Sequence, residues 1–340
     1  MAEAFLQLSS KDRFEALGVA ATISGRPLHL LEKDVWVVWA LAALFESPFA
    51  GHLVFKGGTS LSKAYKAIRR FSEDIDVTYD IRELVPDLVG DAMDALPANP
   101  SQEKRWTKEI RRRLPVWIAE QVLPIIRSRL EEDGGSAKAV AAGDSISIAY
   151  EALASGSGYV RPEVKLEFGA RSTGEPCALM PVICDAAEHL SGLMFPKAIP
   201  RVMRAERTFW EKATAIHVFC RQHRLRSERF ARHWHDLTRL DIAGYAANAL
   251  KERDLAHAVA RHKALFFSEK DEAGNEIDYM AAISGDLQLV PKGKARKTLE
   301  ADYDRMVEDG ILLDDVESFN TVIERCHVIQ KRVNAKAGPR

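Results

Sequence analysis

Residues 56–80 read KGGTSLSKAYKAIRRFSEDIDVTYD, and this stretch decides the fold of the 340-residue chain. The apolar residues 52–55 directly before it predict a short strand, which turns on Gly57 and Gly58 into a helix. Glycine allows the backbone to approach a ligand closely. Because strand–glycine–glycine–helix turns are common, the turn alone is a weak indication of a phosphate site.

The first turn of the predicted helix offers donors for an anion. The backbone N–H groups of Thr59, Ser60 and Leu61 would have no helical partner and would face the ligand. Thr59 is also a good cap residue, and its hydroxyl could be donated to a phosphate. The sequence therefore predicts a phosphate-binding turn, provided that acids or cations lie close to it.

Two aspartates satisfy that condition. A helix over residues 59–69 would carry the chain away by about 16 Å, and a strand over residues 72–79 would bring it back. Asp74 and Asp76 would then lie beside the glycine turn. Since side chains alternate along a strand, these carboxylates share one face while Ile75 points into the core.

Paired carboxylates repel each other unless a cation joins them, and hard oxygen ligands favour Mg²⁺ or Mn²⁺. A phosphate-binding turn beside such a pair is typical of metal-assisted phosphoryl transfer, which commonly uses a third acid. Glu167, in the alternating segment 162–168, is our candidate, and Glu163 on the same face is the alternative. A pair of aspartates at an exposed strand end, without metal, is the competing interpretation.

The remaining pattern predicts an α/β protein with a small mixed sheet followed by a mostly helical domain. We place the core, which contains the sheet and the N-terminal helices, in residues 1–196 and the helical domain, completing the active site, in residues 197–340. In the core, the predicted elements are an apolar helix over 31–45, a charged helical stretch over 101–130 interrupted by Pro115 and Pro124, and one strand over 145–150 within a Gly/Ala/Ser-rich loop. From residue 207 onward we predict helices, with breaks near Gly274, Gly285 and 291–293.

Composition limits the classes of function. The hydrophobic fraction of 46% supports a sizeable core, and a formal net charge of −1 excludes a general polycation. The four cysteines lack zinc-site spacing, and neither a signal peptide nor a membrane span is evident. We therefore expect a cytoplasmic protein with reduced thiols and no membrane partner.

Five segments together resemble the AbiEii/AbiGii-type nucleotidyltransferase toxins, members of the DNA polymerase β-like nucleotidyltransferase superfamily. The first is the stretch 56–80. The others are EKDVW at 32–36, VKLEFGARS at 164–172, ERTFWEK at 206–212 and RHWHDL at 232–237. The combination is specific, whereas any single piece is not.

The resemblance implies a role for each motif. It assigns triphosphate binding to the glycine turn, metal binding to the paired aspartates, a phosphate contact to the later lysine and completion of the site to the later aspartate. With the flanking polar residues and the third acid that we add, the candidates are Lys56, Gly57, Gly58, Thr59, Ser60 and Ser72 for the nucleotide, Asp74, Asp76 and Glu167 for the metal, and Lys212 and Asp236 as further catalytic residues.

The residues themselves leave the last two assignments open. Lys212 could neutralise a β- or γ-phosphate, or it could be a surface lysine paired with Glu206 or Glu211. Asp236 could orient Lys212 or form an ordinary salt bridge. The four histidines between residues 217 and 235 lack the i, i+4 spacing that a helical zinc site needs, which disfavours zinc.

We expect Mg²⁺-dependent transfer of a nucleoside monophosphate from an NTP to an acceptor hydroxyl, in a toxin–antitoxin or phage-defence setting with a cognate antitoxin. RNA, particularly a tRNA 3′ end, is favoured by the family and by the basic stretches 104–113 and 197–235. A protein hydroxyl is the second choice of acceptor. A non-catalytic module that binds nucleotide or a partner is the main alternative, and a metal-dependent nuclease is a third.

Overall fold

The structure is a computed structural model that describes residues 3–72, 74–92, 94–134, 136–154, 161–222, 230–312 and 316–336. The chain forms two compact units. The first contains Met1–Ala64, Glu73–Ala95 and Trp106–Met203. The second contains Tyr65–Ser72, Leu96–Arg105 and Arg204–Arg340. The long C-terminal part of the second unit thus begins at Arg204, a few residues after the boundary that the prolines at 196 and 200 suggested.

The first unit is built on a seven-stranded mixed sheet with the strand order β4-β5-β6-β3-β2-β11-β7. Two small two-stranded sheets, β1-β9 and β10-β8, accompany it. The strands are β1 Glu3–Ala4, β2 Leu53–Lys56, β3 Asp74–Tyr79, β4 Lys138–Ala142, β5 Ser145–Ala149, β6 Glu163–Gly169, β7 Cys177–Leu179, β8 Val182–Ile183, β9 Leu193–Met194, β10 Lys197–Ala198 and β11 Arg201–Met203.

The centre of this sheet is β3, which lies antiparallel to β2 and parallel to β6. Its register places Asp76 opposite Lys56 on β2 and opposite Glu167 on β6. Ile75 and Val77, which point to the opposite face, are fully buried. Alternation along β3 therefore separates an apolar face from a polar one, as the sequence predicted.

The helices up to residue 132 include one very apolar segment, α2. The helices are α1 Ser10–Ser24, α2 Leu28–Phe45, α3 Gly57–Lys63, α4 Ile81–Leu84, α5 Pro86–Val89, α6 Pro100–Trp117 and α7 Leu123–Glu132, with a π-helical turn, Ile118–Val122, between the last two. Every residue of α2 from Leu31 to Leu44 is buried. A helix that is apolar on all sides lies inside a core, and α2 packs against α7, β6 and β10.

Charged side chains at the start of α2 are buried with partners. The Glu32 carboxylate accepts the Leu153 N–H at 3.0 Å, and the Lys33 ammonium donates to the Arg161 carbonyl at 3.0 Å. Burial raises the pKa of Glu32 to about 7, against the opposing effects of the Leu153 N–H and of Arg13. The EKD segment of the sequence therefore anchors the core of the first unit.

Asp34, the third acidic or basic residue of that segment, forms an ion pair with Lys63 at the end of α3. The Lys63 Nζ lies 2.5 Å from Asp34 Oδ1 and 2.7 Å from Asp185 Oδ1. Burial alone would lower the pKa of Lys63, but the two carboxylates outweigh it and raise that pKa. The glycine-turn helix is thereby tied to α2 by a buried ammonium.

The second unit is helical, as predicted. Its helices beyond residue 204 are α8 Ala205–Gln222, α9 Arg232–Ile242, α10 Tyr245–Ala249, α11 Arg253–Phe266, α12 Tyr279–Ile283, α13 Gly293–Glu308 and α14 Phe319–Lys336. Its core contains Trp210 and Trp234, whose indole N–H groups donate to the carbonyls of Ala249 and Leu289 at 3.2 and 2.8 Å. These bonds satisfy the polar atoms of the two largest buried side chains.

Three predicted elements differ in the structure. The helix predicted over residues 59–69 ends at Lys63, and residue 66 has a positive φ of 49°. Phe71 instead donates its N–H to the Ile311 carbonyl at 2.8 Å, and Arg70 forms a β-bridge with Leu312. The segment 65–72, which belongs to the second unit, therefore leaves the helix because its residues 70–71 pair with the backbone of residues 311–312.

The other two differences concern the loop-rich and proline-rich segments. Two strands, β4 and β5, form a hairpin around Gly143 where one strand was predicted. Helix α6 runs through Pro115, and the π-helical turn precedes Pro124 in the first turn of α7. A π turn shifts the hydrogen-bond pattern where a proline cannot donate, so the helical stretch continues from Pro100 to Glu132 without the interruptions that the two prolines predicted.

The predicted α/β class, with a mixed sheet and a helical C-terminal part, is confirmed. None of the helices built from the described residues combines the length and apolarity that a membrane crossing demands.

We predict that Lys63→Met will destabilise the protein by about 3–5 kcal/mol, because it leaves the buried Asp34 carboxylate without its cation. The measurement is the free energy of unfolding in urea at pH 7. Lys11→Met is the matched control, since its pair with Glu15 spans 3.9 Å and both side chains are exposed. The control should change stability by no more than about 0.5 kcal/mol. Equal losses in both variants would contradict a stabilising role for the buried pair.

Candidate functional site

The polar face of β3 carries the paired aspartates. Asp74 and Asp76 are both half-buried, with the buried Ile75 between them. The strand register sets Asp74 opposite Lys165 and Asp76 opposite Glu167 on β6. Because paired residues of neighbouring strands point to the same face, one surface of the sheet collects alternating acids and bases.

The turn after β2 brings backbone against this face. Helix α3 begins at Gly57, directly after Lys56, and Gly57 has a φ of 80°. A Cβ at Gly57 would overlap the Asp76 carboxylate. Only glycine therefore allows both the left-handed backbone and the close approach to Asp76. The first-turn N–H groups, which include those of Gly57, Gly58 and Thr59, have no acceptor within the helix.

The hydroxyls of the turn are directed inward, which corrects the expectation for Thr59. Thr59 and Ser60 are buried. Thr59 donates its hydroxyl to the Asp74 carbonyl, and Ser60 donates to the Gly57 carbonyl at 2.9 Å. A hydroxyl has one proton to donate, so these two groups fasten the turn to β3 and to itself. The backbone, together with Lys56, is what the turn offers to an anion.

Glu167, the candidate third metal ligand, forms an ion pair with Lys165 at 2.5 Å. The hydrogen bond that Lys165 donates to the Glu167 carboxylate, with further attraction from Asp74 and Asp144, raises the pKa of Lys165. Among the described residues, no three His, Cys, Asp or Glu side chains are grouped closely enough to hold a metal. Glu163 remains on the same face of β6, and its Oε1 accepts the Ser147 hydroxyl at 3.3 Å.

The paired aspartates suit Mg²⁺ without a third acid. Mg²⁺ is typically held by one or two carboxylates together with substrate phosphates and water, rather than by a complete protein cage. The donors of Asp74 and Asp76 are hard oxygens, and the Gly57 backbone leaves space for the Asp76 carboxylate. The residues present therefore fit a magnesium–nucleotide complex. Ser72, the remaining nucleotide candidate, belongs to the second unit.

The other two candidates, Lys212 and Asp236, meet inside the second unit. Lys212 on α8 is 8% exposed, and Asp236 on α9 is fully buried. The Lys212 Nζ lies 2.8 Å from Asp236 Oδ2. This excludes the surface pair with Glu206 or Glu211, and it shows that Asp236 reaches Lys212.

Burial affects the pKa values of both Lys212 and Asp236. Burial lowers the pKa of Lys212 despite the attraction of Asp236, and the positive charges of Arg70 and Arg232 lower it further. Burial would raise the pKa of Asp236, but Arg70, Lys212 and a hydrogen bond from His235 hold it well below its usual range. Asp236 is thus a buried carboxylate whose ionised form is favoured by the Arg70 and Lys212 side chains beside it.

Arg70 is the residue that sequence reasoning missed. Its Nε donates to Asp236 Oδ1 at 2.7 Å and its Nη2 to Asp236 Oδ2 at 2.9 Å. The side chain is 4% exposed. Its place in the decisive stretch 56–80 was the one signal that pointed to it, because no local pattern shows that Asp236 is buried and takes donors from a distant segment.

The histidines do not form a zinc site among the described residues. His217 accepts the Gln288 N–H at 3.1 Å, and burial lowers its pKa to about 4. Burial, with the charges of Lys212 and Arg232, lowers the pKa of His233 well below its usual value. His223 lies outside the described residues.

We predict that Gly57→Ala will abolish Mg²⁺-dependent NTP binding, because the new methyl group displaces the Asp76 carboxylate and the backbone is strained by about 1–3 kcal/mol. The measurement is NTP affinity by calorimetry, with and without Mg²⁺. Gly143→Ala is the matched control: it has a φ of 60° but open space around the added Cβ. The control should lose stability but keep NTP affinity. Wild-type affinity in Gly57→Ala would refute the close-approach model.

Solved structures that are similar to most of this chain at low identity include the following two. JHP933 from Helicobacter pylori is 15% identical, with 91% of this chain and 93% of that chain covered and a TM-score of 0.40. MenT4, a nucleotidyltransferase toxin from Mycobacterium tuberculosis H37Rv, is 16% identical, with 97% and 99% covered and a TM-score of 0.36. These scores are too low to support an argument about function.

The family comparison is decisive. No curated protein matches the chain. The family model described as "Nucleotidyl transferase AbiEii toxin, Type IV TA system" matches residues 39–325. That range contains the glycine turn, both aspartates of β3, and the Lys212–Asp236 pair. The chain therefore belongs to the AbiEii family of nucleotidyltransferase toxins.

Proposed function

We propose that this toxin transfers a nucleoside monophosphate from a Mg²⁺-bound NTP to a hydroxyl of RNA, with a tRNA 3′ end as the preferred acceptor. The observation that carries the proposal is the Gly57 backbone lying against the Asp76 carboxylate. A backbone N–H cradle and paired acids are needed together only where a phosphate and its metal are held side by side.

The glycine turn and the two aspartates of β3 have separate tasks in this reaction. The N–H groups of the α3 first turn would bind triphosphate oxygens. Asp74 and Asp76 would hold the metal, which when bound neutralises phosphate charge during the transfer. Thr59 supports the arrangement by bonding the Asp74 carbonyl. Lys56, opposite Asp76 in the sheet, adds a positive charge on the same face.

Lys212 would neutralise the leaving pyrophosphate. In the transfer, the acceptor hydroxyl oxygen bonds to the α-phosphorus, the bond to the β-phosphate oxygen breaks, and the hydroxyl proton passes to solvent. Negative charge then grows on the β- and γ-phosphates, and a buried ammonium stabilises it strongly because little water screens the charge. Lys212 has the necessary burial, and Asp236 fixes its position.

RNA is favoured as acceptor by the exposed face of α6. The apolar residues Trp106, Ile110 and Leu114 face inward. Four basic residues are exposed and have no ion-pair partner among the described residues: Lys104, Arg105, Lys108 and Arg111. Exposed cations on successive turns of one helix suit a phosphate backbone.

The second basic stretch, 197–235, supports RNA less than the sequence suggested. Arg204 pairs with Glu252, Arg207 with Glu211 and Lys212 with Asp236. Its residues 223–229 lie outside the described part of the chain. The support for a polyanionic acceptor therefore rests on α6. The toxin–antitoxin family implies a cognate antitoxin, which would restrain the activity.

The acceptor is tested by incubating the protein with each α-labelled NTP, Mg²⁺ and total RNA together with total protein. Label in RNA is expected, and sequencing of the labelled ends should place it at tRNA 3′ termini. Label in protein would instead indicate a protein-modifying enzyme. Shortened RNA would indicate a nuclease, and nucleotide binding without any label would indicate a binding module.

We predict that Asp74→Asn and Asp76→Asn will each reduce transfer by at least about 100-fold, because metal binding loses a carboxylate. The fold should remain intact or gain slightly in stability, since the change removes repulsion between two acids. The measurement is labelled-NMP incorporation together with the melting temperature. Asp144→Asn, an exposed acid in the β4–β5 turn, is the control and should retain full activity. Full activity in both site variants would exclude the proposed centre.

We predict that Lys212→Ala will weaken NTP binding or slow transfer sharply while leaving NMP binding nearly unchanged, because the ammonium acts on the β- and γ-phosphates. Lys212→Arg should recover part of the activity, since a planar fork does not reproduce a compact ammonium. The measurements are kcat, KM and the separate affinities for NTP and NMP. Lys251→Ala, an exposed lysine of the same unit, is the control. Equal weakening of NTP and NMP would contradict the role.

A further inference from the structure

We propose that Arg70 is a positioning residue of the transfer reaction. Its guanidinium holds both oxygens of the Asp236 carboxylate, and Asp236 in turn holds the Lys212 ammonium. The inference rests on the proposed role of Lys212 at the triphosphate. It assigns to Arg70 a function that acts through two other side chains rather than by contact with the substrate.

The Asp236 carboxylate receives four donors. Arg70 Nε at 2.7 Å and His235 Nδ1 at 3.3 Å approach Oδ1. Arg70 Nη2 at 2.9 Å and Lys212 Nζ at 2.8 Å approach Oδ2. Because an ionised carboxylate only accepts hydrogen bonds, His235 Nδ1 must carry the proton and act as the donor.

Because its acceptor positions are occupied, Asp236 is limited in the roles that it can have in the reaction. A carboxylate has about four lone-pair directions, and all are used here. Asp236 is also fully buried. To bind a metal or take a proton from a hydroxyl, it would first have to release a buried cation, which is costly. Asp236 is therefore a positioning residue as well, and the group left to face phosphate is the Lys212 ammonium.

Arg70 is fixed from its own side. Its backbone forms a β-bridge with Leu312, and the following residue, Phe71, donates its N–H to the Ile311 carbonyl at 2.8 Å. Its Nη1 donates to the Phe71 carbonyl at 3.3 Å. The Arg70 backbone is fixed by its pairing, and its planar guanidinium bonds both oxygens of Asp236. The Asp236 carboxylate is therefore held in one orientation.

The orientation of the Asp236 carboxylate matters because it limits how many N–H donors of Lys212 are directed at Asp236. With Arg70 across both carboxylate oxygens, the Lys212 Nζ approaches Asp236 at Oδ2, at a distance of 2.8 Å. An ammonium has three N–H donors, so two remain for phosphate. Without Arg70, Asp236 could turn both oxygens to Lys212, and the stronger pair would draw the ammonium away from its ligand. Removing Arg70 should therefore mimic the loss of Lys212.

The first test compares Arg70→Gln and Arg70→Lys with the wild-type protein. For Arg70→Gln we expect kcat/KM for NTP, per folded molecule, to fall by about 100-fold, as for other small misplacements of a catalytic group. The affinity for NMP should stay within about twofold, because no β- or γ-phosphate is present. Arg204→Gln is the control, since Arg204 makes a two-pronged contact with Glu252 in the same unit but is half-exposed. It should keep wild-type kcat/KM.

Arg70→Lys keeps the test valid if Arg70→Gln does not fold. It retains the buried positive charge but offers one point of attachment instead of a fork. We expect it to fold and to lose about 10-fold or more in kcat/KM for NTP. Wild-type kcat/KM in a folded Arg70→Lys or Arg70→Gln protein would overturn the positioning role.

The decisive measurement is the double variant with Lys212→Ala. If Arg70 acts through Lys212, Arg70→Lys/Lys212→Ala should be no slower than Lys212→Ala alone, because the group being positioned is already absent. Losses that multiply would overturn the inference and leave Arg70 as a purely structural residue. A wild-type protein that transfers no label to any acceptor overturns the proposed function and this inference together. Active wild-type protein with fully active Arg70 variants overturns only the inference.

Discussion

The close approach of the Gly57 backbone to the Asp76 carboxylate is the constraint on which the first unit depends. It requires β2 and β3 to be neighbours, a turn that begins directly after Lys56, and a residue without a side chain at a φ of 80°. Thr59 reinforces it by bonding the Asp74 carbonyl. Backbone donors and acidic oxygens are thus placed side by side before any ligand arrives, which is the preorganisation that electrostatic catalysis needs.

Buried charges maintain this arrangement, and each has defined partners. Lys63 joins the end of α3 to Asp34 and Asp185, so the helix that begins with the glycine turn is anchored at its far end. In the second unit, Asp236 forms ion pairs with Arg70 and Lys212. Buried ion pairs are seldom efficient stabilisers compared with apolar residues of the same size. Their presence is better explained by the precise positions that they impose on Gly57 and on the Lys212 ammonium.

The sequence was sufficient wherever a local pattern determines the structure. Alternation predicted β3 and β6, the apolar run predicted α2, and two glycines after a short strand predicted the turn. It failed where distant partners decide. The helix ends at Lys63 because residues 70–71 pair with 311–312, and no local pattern shows that pairing. The Thr59 hydroxyl and the Arg70 guanidinium were likewise unpredictable, because their acceptors, the Asp74 carbonyl and Asp236, are brought to them only by the fold.

Asp76 and Asp236 show how environment divides one residue type between two tasks. Asp76 lies half-buried on a sheet face, between Lys56 and Glu167 in the strand register, with the Gly57 backbone against its carboxylate. Asp236 is fully buried, and its oxygens are occupied by Arg70, Lys212 and His235. A carboxylate whose acceptor positions are filled keeps its charge but cannot take a new ligand. A partly exposed one beside backbone donors can share a cation with phosphate. Two family motifs that each contain an aspartate therefore have different chemical roles. Only the contacts of each carboxylate distinguish a residue that can bind a cation from one that positions a neighbouring side chain.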